Sequence, residues 1–169
     1  ALADLPGVKT VGTERVLGER FNIRGIGQDL DGGDENRIAI VVDGQTKFYQ
    51  QYRLGALFTE PELYNRIEVL RGPAATTLYG AGAFAGAIVL ETKDAADFLE
   101  DGRPVALRQK LEYTDNGEGG LSSTIIAAKP NEQVDLLAAF TFRNNNDMTD
   151  GDGNELVGSN FETYSTLVK

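Results

Sequence analysis

Apolar and polar positions along the chain follow two different rhythms. In the first hundred residues the apolar runs are short and irregularly spaced. Phe21-Asn22-Ile23-Arg24-Gly25-Ile26 alternates and predicts a strand over 21–26. Arg37-Ile38-Ala39-Ile40-Val41-Val42 is β-branched and ends at the turn pair Asp43-Gly44, which predicts a strand buried on both faces. Arg66 to Leu70 alternates again and breaks at Arg71-Gly72-Pro73, and Gly86 to Thr92 reads as a further strand. Between them, Pro61 to Tyr64 predicts a short helix with Thr59 as its cap. Pro73 to Leu78 predicts one or two helical turns stopped by Gly80. Gln28 to Asn36 is a polar Gly/Asp loop, and Lys47 to Leu57 is aromatic-rich without a period. Short strands mixed with short helices make this part α+β.

Beyond the acidic link Asp94 to Pro104 the period becomes strictly two. Val105, Leu107, Gln109, Leu111 and Tyr113 share one face, opposite Ala106, Arg108, Lys110, Glu112 and Thr114. Val134, Leu136, Ala138, Phe140 and Phe142 share another, opposite Asp135, Leu137, Ala139, Thr141 and Arg143. Leu121 to Lys129 and Phe161 to Lys169 are strand-like with less distinct faces. The connections are short at Asp115–Gly120, tight at Lys129–Glu132, and long and polar at Asn144–Asn160. Two architectures give this pattern. One is a soluble sheet with one wet face, which periodicity alone favours. The other is a membrane-barrel meander with one face toward lipid. Four strands cannot close a barrel, which takes about eight, so the sheet is expected to be incomplete. The opening Ala1 to Leu5 likewise reads as the end of a helix that starts upstream.

Composition narrows the chemistry. The chain of 169 residues carries 16 Lys and Arg against 26 Asp and Glu, a net charge of −10. The first 99 residues hold −4 of it and the remainder −6. Neither half offers a cationic patch, so nucleic acid is not an expected partner. There is no Cys and no His. That removes disulfides, thiol catalysis, Cys-based zinc sites and imidazole chemistry. No cofactor is expected, and the usual catalytic side chains are missing, which makes a small hydrolase built on Asp43 the weakest reading. No run reaches the roughly 18 apolar residues of a membrane helix.

The remaining motifs admit bland and sharp readings. Gly80-x-Gly82-x-x-x-Gly86 leads into a strand, where phosphate binding needs a helix N-terminus. Small residues there fit a backbone passing close to another wall. Asp150-Gly151-Asp152-Gly153-Asn154 opens like a calcium loop but has Glu155 at the required Gly position and Phe161 at the position of the closing Glu, so a solvated loop is expected. Asp43 as a catalytic acid has no identifiable partner. Phe48, Tyr49 and Tyr52 are either core or an aromatic platform for a ligand. Arg24 and Arg71 each precede a glycine at a strand end, with Glu68 on the second strand. They are surface charges, or they pair with carboxylates on a separate wall.

Several blocks together resemble the plug domain of TonB-dependent outer-membrane receptors. They are Leu5-Pro6-Gly7-Val8, Asn22-Ile23-Arg24-Gly25, Val41-Val42-Asp43-Gly44 and Arg66-Ile67-Glu68-Val69-Leu70-Arg71-Gly72-Pro73. Thr77-Leu78-Tyr79-Gly80-Ala81-Gly82-Ala83, Gly86-Ala87-Ile88 and Thr92-Lys93 complete the series. The resemblance implies a small mixed-sheet plug over residues 1–98. It also turns residues 99–169 into about four opening strands of a 22-stranded transmembrane barrel, which reverses the soluble-sheet reading. It further implies uptake of an iron complex, ferric siderophore or haem, in the outer membrane of a Gram-negative bacterium. TonB would act through an N-terminal box missing here, and the other partners would be the remaining barrel, the ligand and outer-membrane lipid. By the resemblance, Arg24, Glu68 and Arg71 match a plug–barrel lock. Gln28, Asp29, Phe48, Tyr49 and Tyr52 fall where apical loops meet ligand. The stretches at Lys47–Tyr52 and Asp94–Phe98 are similar to haem and haemoglobin receptors. The alternative is a soluble ligand-binding or adhesion module with a β-rich tail.

Overall fold

Two positive-φ residues in succession reverse the chain early, at Arg24 (φ 53°) and Gly25 (φ 84°). The expected single strand over 21–26 is therefore a hairpin. A two-residue turn with both φ positive matches the right-handed twist of the strands it joins, and Asn22 Oδ1 steadies it by accepting from the Gly25 N–H at 2.9 Å. The computed structural model describes residues 6–11, 20–27, 38–47 and 60–169. The chain divides into two compact units: Ala1–Thr59 with Arg66–Thr92, and Glu60–Asn65 with Lys93–Lys169.

In the first unit, β1 (Val8–Val11), β2 (Arg20–Ile23) and β3 (Ile26–Gly27) form a three-stranded sheet. β4 (Ile38–Val42), β5 (Gln45–Thr46), β6 (Tyr64–Arg71) and β7 (Gly86–Thr92) form a second sheet in the order β5-β4-β7-β6. The first two residues of β6 pack with the other unit. The sheet is mixed, because β4 runs antiparallel to β5 and parallel to β7, with Ile38 opposite Gly86 and Val42 opposite Leu90. Ala39, Ile40 and Val41 are buried, as the unbroken apolar run of β4 predicts.

α1 (Ala75–Tyr79) ends at Gly80, whose φ of 86° closes the helix. Ala75 and Ala83 pack with Ala39 and Ala87 in a small-residue core. Of the glycines read as a close-approach motif, Gly80 and Gly82 face open space. Gly86 (φ +147°) alone is tight: a Cβ there would overlap the Leu70 carbonyl oxygen. The close approach at Gly86 is to the neighbouring strand β6.

In the second unit, β8 (Val105–Thr114), β9 (Gly119–Asn131), β10 (Val134–Asn145) and β13 (Phe161–Val168) form an antiparallel meander in the order β13-β10-β9-β8. β9 continues to Asn131, into the turn expected at Lys129–Glu132, and reversal occurs at Glu132-Gln133, where Asn131 Oδ1 accepts from the Gln133 N–H. The long connection is also more ordered than its polar sequence suggests. It carries the small hairpin β11 (Met148–Thr149) and β12 (Glu155–Leu156). Asp150, the head of the calcium-like sequence, spends its carboxylate on the Asp152 N–H, the Asn154 N–H and the Asn154 amide.

The faces of the meander invert the pattern of a water-soluble sheet. Leu107 and Leu111 are 70% and 73% exposed, while Leu121, Ser123 and Thr141 on the opposite face are buried. Val105, Tyr113, Leu136, Phe140, Tyr164 and Val168 join the exposed apolar face. The buried face holds Ile125, Ala127, Leu137 and Ala139, against which Ala95, Leu63, Phe98 and Leu99 pack. No helix among the described residues is long and apolar enough to cross a membrane, which says nothing of strands.

Candidate functional site

The second unit's buried face carries charge where a simple core would carry hydrocarbon. Pro61 starts a single 3-10 turn, Pro61–Leu63, and Glu60 caps it in place of the expected Thr59: its own carboxylate accepts from the Glu62 N–H at 3.1 Å. Proline fixes the backbone at that first position, so Glu60 and Glu62 flank a rigid corner and both reach the strands.

The Glu60 side chain is 0% exposed and Arg143, at its inward position on β10, is 19% exposed. The guanidinium grips the carboxylate at two points, Nε to Oε2 at 3.2 Å and Nη2 to Oε1 at 3.0 Å. Three donors therefore meet one buried carboxylate. This planar two-point geometry is specific to arginine.

Glu62 is shared among three cations. Lys110 of β8 bonds its Oε1, Lys93 Nζ lies 3.5 Å from Oε2, and Arg108 of β8 lies 3.7 Å from Oε2. Burial opposes the charged carboxylate. The Lys110 hydrogen bond and the fields of Lys93, Lys110 and Arg108 outweigh it and hold Glu62 below the ordinary carboxylate range. Lys93 is also held below its usual value, by burial first and by repulsion from Arg108 and Lys110, against the pull of Glu62. The two directions agree physically, since one anion among three cations is strongly stabilised while the cations repel each other. Lys93 further donates from its backbone N–H to the Leu63 carbonyl at 2.9 Å and from Nζ to the Glu62 carbonyl. Beside Arg143 on the strands, Thr141 Oγ1 donates to Ser123 Oγ at 3.0 Å, and both residues are buried.

The residues expected to form a lock stand elsewhere. Glu68 pairs with Arg66 on its own strand, both substantially exposed. Arg71 is exposed and donates from Nη1 to the Pro6 carbonyl at 2.6 Å. Arg24 is exposed at the β2–β3 turn, and its backbone N–H donates to the Gly7 carbonyl at 2.7 Å. None of the three is brought together with another. Gln28, Asp29, Phe48, Tyr49 and Tyr52 lie outside the described residues. Asp43 is a turn anchor: its carboxylate accepts from the Thr92 N–H at 2.8 Å and from the Thr92 hydroxyl at 2.6 Å. No group of acidic side chains among the described residues is arranged to hold a metal ion. Neither Glu60 nor Glu62 stands out in the sequence by itself. The available signal was the Glu-Pro-Glu corner together with Arg108, Lys110 and Arg143 at inward dyad positions.

The sequence profile of the TonB-dependent receptor plug domain matches residues 1–87. TonB-dependent heme receptor A of Haemophilus influenzae (strain ATCC 51907 / DSM 11121 / KW20 / Rd) is 32% identical over 98% of this chain and 21% of its own length. The Haemophilus ducreyi protein of the same name is 38% identical over 85% of this chain and 18% of its own length. The chain thus spans about a fifth of these relatives. Among solved structures, a double mutant of the Serratia marcescens hemophore receptor HasR, in complex with its hemophore HasA and heme, superposes with a TM-score of 0.84 at 24% identity, over 99% of this chain and 25% of that one. The FrpB iron transporter of Neisseria meningitidis (F3-3 variant) gives 0.79 at 23% identity over the same shares. At these identities the structural likeness speaks to fold alone.

Proposed function

The chain belongs to the TonB-dependent receptor plug domain family, and on that premise we propose that it forms the plug and opening wall strands of an outer-membrane receptor importing haem or another iron complex. The observation that carries this reading is the engagement of Glu60 and Glu62, inside the plug match, with Arg143, Arg108 and Lys110 on strands beyond it. A plug must be held against its wall yet remain removable. Ion pairs suit that task better than a continuous apolar seam, because charged groups regain hydration once separated. The exposed apolar face of the same strands suits lipid.

In this reading the four strands open a 22-stranded barrel, with Asp115–Gly120 and Asn144–Asn160 on the outer side and the turn at Glu132-Gln133 in the periplasm. TonB acts through a box preceding these residues. Gln28, Asp29, Phe48, Tyr49 and Tyr52 supply the plug's share of the ligand pocket. Haem is favoured among iron complexes because relatives alike in sequence over most of this chain are named for heme. Arg24, Glu68 and Arg71 contact wall strands other than these four.

The test is growth. The full-length gene, placed in a Gram-negative host unable to make haem and lacking its own haem receptor, should permit growth on hemin, and deleting TonB should abolish it. Growth on ferric siderophores but never on hemin overturns the haem assignment. A protein found in the soluble fraction overturns the receptor reading.

A further inference from the structure

Two short segments of the second unit, 60–65 and 93–98, cover the buried face of the strands. They hold each other first. Lys93 joins them through its bonds to Leu63 and Glu62, and Asn65 Nδ2 donates to Asp97 Oδ1 at 2.9 Å. The 93–98 segment is closed by a capping box in which Asp94 and Asp97 each accept a backbone N–H. The pair then holds the strands at independent points. Glu60 takes Arg143 on β10, Glu62 takes Arg108 and Lys110 on β8, and Ala95 packs with Ile125 and Ala127 on β9. Lys169, following β13, lies 3.5 Å from Asp94. None of these bonds uses residues 66–92 or any residue before Glu60. Both ends of the 66–92 stretch are therefore pinned within the strand unit.

We propose that residues 60–65 and 93–98 form a two-point clip that stays fixed to the strands while the rest of the plug rearranges. This rests on the plug reading, because only a plug has a rearrangement from which to be exempt. The clip confines motion to the chain before Glu60 and to a loop, 66–92, pinned at both ends. Fixing both ends of a loop removes much of its conformational freedom, so that loop recloses in register after it opens.

The test is urea-dependent hydrogen exchange on the full-length protein in detergent, which needs no ligand and no uptake. The amides of Leu63, Lys93, Asp97 and Phe98 should open at the same urea concentration as central amides of β9 and β10. The amides of Asp43, Lys47 and Gly72, bonded within the first unit, should open at lower urea. Clip amides that follow Asp43, Lys47 and Gly72 overturn the proposal. In the Arg143→Met protein the clip amides should exchange roughly tenfold faster or more, with Asp43 and Gly72 unchanged; equal acceleration of both sets, or of neither, overturns it as well. Should that variant not fold, the unmodified protein decides alone. A failed hemin-growth experiment leaves this exchange pattern as it is, so the two ideas fail separately.

Discussion

Both units bury apolar side chains, but among the described residues only the second also buries polar and charged ones. The first closes on alanines, with Ala39, Ala75, Ala83 and Ala87 beside Ile40, Val41, Ile88 and Leu90. Every buried polar or charged residue among the described ones lies in the second: Glu60, Ser123, Thr141, Asn145 and Ser159. The first unit is thus specified by backbone geometry. It relies on tight reversals at Arg24-Gly25 and Asp43-Gly44 and on a glycine where strands close up. The second is specified by pairing, since a buried carboxylate tolerates few neighbours other than its cation. A substitution should accordingly hurt the first unit through shape and the second through charge.

The sharpest way to break that contrast is at Glu60. Replacing Glu60 by Gln, or Arg143 by Ala, strands one member of a buried pair, a loss of about 3–5 kcal/mol. Chemical unfolding followed by a probe in β9 or β10 should register it. The paired change Glu60→Gln with Arg143→Met should recover much of the loss, because both charges then leave together. If the double variant is as unstable as the single ones, the corner is held by packing and the charge account of the second unit fails.

Glu62 comes next, as three cations share it. Glu62→Gln should cost about 1.5–3 kcal/mol, the range for hydrogen bonds to charged groups. Its pH dependence carries a definite sign. The folded value lies below the ordinary 4.5, so its contribution is complete above pH 4.5 and is lost as pH falls through the lowered value. Lys93 runs the other way. Its folded value lies below 10.5, so the fold disfavours its charge, and that penalty is relieved as pH rises through the lowered value. Acid titration of the unmodified protein and of Glu62→Gln should therefore diverge above pH 4.5 and converge below it. Parallel curves would mean that Glu62 is not linked to stability.

What could be read from the sequence follows the same division. Period-two alternation marked β8 and β10 and correctly assigned their two faces, and the β-branched run marked β4, because those signals are local. The choice between a soluble sheet and a membrane wall is not local, and the family resemblance alone reverses the soluble-sheet reading. The hairpin at Arg24-Gly25 leaves no turn signal in the sequence because arginine is an unusual first residue for a turn that needs positive φ. The family resemblance points to Arg24, Glu68 and Arg71 as a lock, whereas the buried ion pair Glu60–Arg143 joins residues 83 positions apart. An isolated glutamate leaves no periodic trace, so its cation is found only once the strands are laid side by side.

Within the first unit, Gly86→Ala tests shape without charge. A Cβ there would overlap the Leu70 carbonyl, and the φ of +147° is one that side chains rarely adopt. The expected loss is about 1–3 kcal/mol, confined to amides of the first unit. If β9 and β10 lose protection equally, the units do not fold as separate bodies.

Arg71→Ala should have the smallest effect, and it distinguishes the two accounts of the lock. Arg71 is exposed, and among the described residues its side chain donates to the Pro6 carbonyl within its own unit. Losing one exposed contact of this kind should cost less than about 1 kcal/mol. The same change in the full-length receptor adds any wall strand that Arg71 meets there. A loss of about 3–5 kcal/mol in the receptor, against less than about 1 in residues 1–169 alone, would place a buried carboxylate opposite Arg71 on that wall. An equally small loss in both would leave Glu60 and Glu62 as the charges that fasten the plug, with their cations on the strands.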